Sequence, residues 1–141
     1  PHIAFVESIC HQNEFPEYVT QYELKQGPST VTFDIKHNEG DSPPHNEAVS
    51  VFQSKNHGLT LLSITSWYIC CYPRADGKLY QIDIYQLNKI NGSYQVSTLF
   101  LGKTGLETYG FEGNTFDEAG HSHYDYKNIS SLTQALKAIN Y

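Results

Sequence analysis

Residues 121–125 read His121-Ser122-His123-Tyr124-Asp125. On a β-strand, residues i, i+2 and i+4 share one face. Two imidazoles and a carboxylate would then converge, a donor set that suits zinc or another divalent cation. Glu118 or a water would supply a fourth donor. A His-x-His run is equally the solvent-facing side of an edge strand, with Tyr124 and Tyr126 turned inward. The other histidines stand at 2, 11, 37, 45 and 57 and add no ligand pattern. A metal-dependent enzyme using His121, His123 and Asp125 is therefore the rival expectation, and no cofactor is expected.

Other reactive types lead nowhere. Cys10 and His11 are adjacent, and adjacent residues on a helix do not face each other. Gly102-Lys103-Thr104 looks like the tail of a phosphate loop, but position 97 is Ser where that motif needs Gly. No Gly-x-Ser-x-Gly elbow is present.

Charge is more informative. The 141 residues hold fifteen acids and nine bases, a formal charge of −6. That balance argues against nucleic acid as the main partner. No apolar run approaches the roughly 18–20 residues that a bilayer span needs, so no membrane partner is expected either. Residues 51–103 hold two acids and five bases, whereas residues 104–126 hold five acids and neither Lys nor Arg. Tyr109, Phe111, Phe116 and Tyr124 interleave with those acids. Acids beside aromatic anchors make a face for a basic protein; a solvated acidic surface that only aids solubility has the same composition. The leading expectation is a non-enzymatic domain that neutralises a basic partner protein, as a toxin-immunity protein or enzyme inhibitor does. Its contact residues would be Glu107, Tyr109, Glu112, Asp117 and Glu118. With eleven tyrosines, a carbohydrate- or ligand-binding module is a third reading.

These groups need a scaffold. The length suits one domain over 1–141, and no repeat or composition break divides it. Ile3, Val6, Ile9 and Cys10 fall at helical spacing, which predicts an N-terminal helix ending near Phe15-Pro16. Residues 18–24 alternate as a strand, and so do Val31, Phe33 and Ile35, whose face should be buried. Residues 38–48 form an acidic loop. Residues 59–72 are apolar on both faces, as in a strand covered on both sides. Asp76-Gly77 reads as a turn. Asn91-Gly92 is a hairpin signal; a two-residue turn there pairs Leu87 with Val96, Ile84 with Leu99 and Ile82 with Leu101. Residues 121–126 alternate as a strand. Leu132, Ala135, Leu136 and Ile139 form a helical stripe that Ser131 and Gln134 would cap. The expected fold is α+β, an antiparallel meander of about five to seven strands with a helix at each end packed on it.

Cys10, Cys70 and Cys71 allow three reduced thiols, or a bridge from Cys10 to one of the others. Asn91-Gly92-Ser93 and Asn128-Ile129-Ser130 match the glycosylation acceptor pattern, but turn and cap chemistry explains both asparagines first. The sequence leaves open whether the chain is cytoplasmic or a processed secreted or periplasmic protein, and its oligomeric state.

Overall fold

The computed structural model describes residues 2–12, 15–70, 75–98, 105–115 and 120–141, with residues 2–16 by backbone alone. Among them are nine strands and one helix. In chain order these are β1 (His2–Gln12), β2 (Phe15–Gln26), β3 (Ser29–Lys36), β4 (Pro44–Ser54), β5 (Gly58–Ile69), β6 (Ala75–Ile90), β7 (Ser93–Thr98), β8 (Tyr109–Thr115), β9 (His121–Ser122) and α1 (Ile129–Ala138). All strand pairings are antiparallel. β1-β2-β3 form one sheet; β4-β5-β6-β8-β9 form a second, with β7 also beside β6.

The larger sheet lies between α1 and the smaller sheet. That explains why β5 is buried continuously from Thr60 to Trp67. On one face, Leu62, Ile64, Ile82 and Ile84 pack with Leu132 and Leu136 of the helix and with Tyr124. On the other, Leu61, Tyr85 and Leu87 meet Leu24 and Phe33 of the smaller sheet. Burying a Leu or Ile side chain contributes roughly 1.5–3 kcal/mol, so both faces are strongly fixed.

The Asn91-Gly92 turn forms as its residue types require. Both residues have positive φ, 50° and 84°, as a type I′ turn demands. Leu87 pairs with Val96 in the register that the turn sets; the partners expected for Ile84 and Ile82 lie outside the described residues.

Four expectations are corrected. Residues 2–12 are a strand paired with β2 along its whole length, from His2↔Lys25 to Gln12↔Phe15, not a helix. Ile3, Val6 and Ile9 are β-branched, and a short helix has no stability without a packing partner; pairing with the long β2 satisfies the backbone instead. Gly77 lies inside β6 rather than in a turn, facing Gly113 of β8. A Cβ on Gly77 would sit 2.2 Å from the Glu112 carbonyl oxygen, so glycine here permits a close backbone approach. The helix cap is Asn128, whose Oδ1 accepts from the Ser131 N–H at 2.9 Å, one turn earlier than Ser131 with Gln134 would place it. Val31 and Ile35 point outward, 51% and 43% exposed, while Asp34 and Lys36 turn inward. A register shift between Tyr22 and Glu23 accompanies this reversal.

The inward polar face of β3 is satisfied across the two sheets. Lys36 Nζ lies 3.0 Å from Asp34 Oδ2 and 2.8 Å from Asp83 Oδ2, and the Tyr85 hydroxyl donates to Asp34. Burial alone would lower the Lys36 pKa, but the two carboxylates outweigh it and the pKa is raised. Tyr22 adds a second tie, its hydroxyl 2.7 Å from Thr65 Oγ1. Cys70 is disulfide-bonded, with a partner outside the residues whose side chains are described.

Candidate interaction face

β8 and the segment behind it are organised by Tyr124. This ring is buried and stacked on Tyr80, centroids 5.8 Å apart. It lies over Gly110, where a Cβ would come within 2.1 Å of Tyr124 Cδ2. Its hydroxyl donates to the Glu107 carbonyl at 2.6 Å, and its amide donates to Glu112 Oε2 at 2.7 Å. That last bond takes Tyr124 out of the β8–β9 ladder. The strand expected over 121–126 accordingly shortens to His121–Ser122.

Glu112 is therefore an internal organiser and not a free contact residue. Besides the Tyr124 amide it holds Lys127 Nζ, 3.0 Å from Oε1, and His123 Nδ1, 3.0 Å from Oε2. The amide bond, Lys127 and His123 outweigh desolvation and hold its carboxyl well below the usual carboxylate range, at about 2.

His123 stands between two carboxylates: its Nδ1 faces Glu112, and its Nε2 lies 3.2 Å from Asp125 Oδ1. His121 Nδ1 lies 3.1 Å from Asn114 Oδ1, and its Nε2 is 3.8 Å from Glu112 Oε1. The two imidazoles thus flank Glu112, with Asp125 on the far side of His123, and the three side chains do not line one strand face. Among the described residues, no group of three or more His, Cys, Asp or Glu side chains is disposed to hold a metal ion.

The expected contact residues fall into three groups. Glu112 is committed to internal bonds. Asp117 and Glu118 lie outside the described residues. Glu107 and Tyr109 are exposed, Tyr109 by 50%. Burial of its ring edge, and then the charge of Glu39, raise the Tyr109 pKa. Glu39 and Asp41 belong to the β3–β4 loop, which Glu39 and Ser42 close by exchanging backbone hydrogen bonds of 2.9 and 3.0 Å. The Ser42 hydroxyl also donates to the Tyr68 carbonyl, anchoring the loop on the end of β5. Tyr68 is 51% exposed, and its hydroxyl donates to Asp76 Oδ1 at 2.6 Å.

This end of the molecule carries two exposed rings, Tyr109 with Glu39 and Glu107, and Tyr68 with Asp76 and the loop of Asp41; the registers Tyr68↔Lys78 and Tyr109↔Gln81 place them on opposite faces of the larger sheet. The carboxylates of Glu39, Asp41 and Glu107 have no ion-pair partner among the described residues, while Lys78 and Lys127 of the same region are taken by Glu47 at 2.8 Å and by Glu112. Sequence reading missed Tyr68, Asp76 and the role of the β3–β4 loop. The acids of that loop were visible, but nothing local brings position 39 to position 109. The opposite end is basic: Lys89 lies at the tip of the β6–β7 hairpin, over the Tyr94 ring at 5.6 Å, and Lys55 is tied to the chain end through its backbone N–H to the Tyr141 carbonyl at 3.1 Å.

No family model matches the chain, and no curated protein or solved structure matches it. Among the described residues, no helix is long and apolar enough to cross a membrane.

Proposed function

We propose that this protein is a binding domain whose acidic, tyrosine-bearing end masks a basic partner protein, in the manner of an inhibitor or immunity protein. The observation that carries the reading is that exposed Tyr68 and Tyr109 each stand beside a carboxylate, Asp76 and Glu39, that no lysine among the described residues pairs with. Tyrosine contributes contact area at low entropic cost and keeps a hydroxyl for a polar bond. Unpaired acids around it steer a cationic surface into place and speed encounter. The contact set is Glu39, Asp41, Asp76, Glu107, Tyr68 and Tyr109, with Glu112 supporting Tyr124 from behind.

The test is affinity capture from the source cells with wild type and with a Glu39→Lys/Asp41→Lys/Glu107→Lys variant. A basic protein held by the wild type at low salt and absent from the variant supports the reading. Equal retention by both proteins, or retention of acidic proteins alone, contradicts it.

A further inference from the structure

We propose that Asn91 is an N-glycan acceptor, placed at the end of the molecule farthest from the acidic face. Asn91-Gly92-Ser93 carries the acceptor pattern. The structure puts all three residues at the tip of the β6–β7 hairpin, each exposed. The type I′ turn uses the backbone of Asn91, at φ 50°, and leaves its side-chain amide without a hydrogen bond among the described residues. An oligosaccharide on that amide projects into solvent and touches no packed element.

A second, independent feature points the same way. Cys70 is in a disulfide, and disulfides persist in oxidising compartments, the setting in which this acceptor pattern is used. The other match, Asn128-Ile129-Ser130, is placed differently. Asn128 Oδ1 caps the helix through Ser131 N–H at 2.9 Å, its carbonyl accepts from the Ser131 hydroxyl at 3.0 Å, and Ile129 packs against the core. Carbohydrate there would lie against the foot of α1.

β6 (Ala75–Ile90) holds Asp76, beside Tyr68, near its start and ends at the hairpin tip. At about 3.3 Å per residue, the Asn91 tip is on the order of 50 Å from Asp76 and about 33 Å from Gln81, the residue that pairs with Tyr109. A glycan there leaves the acidic face open. In the transfer step, Asn91 Nδ2 attacks the anomeric carbon of an oligosaccharide carried on a polyprenyl pyrophosphate. The carbon–nitrogen bond forms as the carbon–oxygen bond to phosphate breaks. The pyrophosphate leaves with the electron pair, and Nδ2 gives one proton to a base of the transferase.

The experiment expresses the full chain, directed to the secretory pathway of a cell that N-glycosylates, and locates glycan by intact mass and by peptide mapping after enzymatic deglycosylation. Gln is disfavoured at the positive φ of Asn91, so Ser93→Ala, which leaves the Asn91-Gly92 turn intact, is the deciding variant, with Ser130→Ala as control. Glycan at Asn91 that disappears in Ser93→Ala and survives in Ser130→Ala supports the assignment. A wild-type protein without glycan, or glycan lost only in Ser130→Ala, overturns it.

Discussion

The backbone N–H of Tyr124 donates to Glu112 Oε2 at 2.7 Å, and this one bond fixes how the segment after β8 returns to the sheet. It ends the β8–β9 ladder, seats the Tyr124 ring over Gly110, and leaves Lys127 to neutralise the same carboxylate, with His123 Nδ1 beside it.

The first prediction concerns acid stability. The folded pKa of Glu112 is depressed to about 2 from an ordinary 4.5. Its contribution to stability is therefore present above about pH 4.5 and is lost as pH falls toward 2. Glu112→Gln keeps an oxygen for the Tyr124 amide but removes the charge. Because the side chain is partly solvated, the loss at neutral pH should be modest, about 1 kcal/mol. Urea unfolding of both proteins between pH 2 and pH 7 should show the two stabilities converging as the pH falls. A constant gap across that range contradicts the assignment.

The second concerns the β6–β8 contact. Gly77→Ala places a Cβ 2.2 Å from the Glu112 carbonyl oxygen. That atom is backbone and cannot swing aside, so the strands must separate, at a cost of about 3 kcal/mol. Gly92→Ala at the hairpin tip meets no atom within 4 Å but must hold φ 84°, and should cost about 1 kcal/mol. Thermal melts of the two variants should rank in that order.

The third concerns the tie between the sheets. Lys36→Met leaves Asp34 and Asp83 facing each other between the layers without a cation. Stability should fall by about 3 kcal/mol. Combining it with Asp34→Leu and Asp83→Leu should recover most of the loss, since the uncompensated charges go too. A triple variant no more stable than Lys36→Met would show that the charges are not what the lysine offsets.

The fourth concerns the exposed rings. Tyr68→Ala and Tyr109→Ala remove side chains that are half exposed, so each should change stability by about 0.5 kcal/mol or less. Each should weaken partner binding by about 1–2 kcal/mol if the ring is an anchor. Calorimetric titration against the captured partner, beside an unfolding curve, separates the two effects.

Much of the scaffold was legible because local rules decide it. The Asn91-Gly92 turn fixes its own φ values and with them the Leu87–Val96 register. The two-sided apolarity of β5 announces a covered central strand. The spacing of Leu132 and Leu136 announces a helix on the core. What failed depends on distant partners. Ile3, Val6 and Ile9 carry a helical period, yet strand partners farther along the chain, Leu24, Gln21 and Tyr18, take them. Asp34 and Lys36 look solvent-facing until Asp83 of another sheet is opposite them. Glu112 looks like one more free acid in a run without lysines, although Lys127 lies just beyond that run and folds back onto it. The acidic end joins residues 39–42, 68, 76 and 107–109 from both faces of the larger sheet, which no local pattern connects.

The most direct test of the binding role is the association rate with the captured basic protein, measured by stopped flow at low and high ionic strength. The wild type should associate fast at low salt and slow steeply as salt rises. Glu39→Lys/Asp41→Lys/Glu107→Lys should start at least tenfold slower and lose that dependence. Equal rates for the two proteins at low salt would contradict a partner steered by this face.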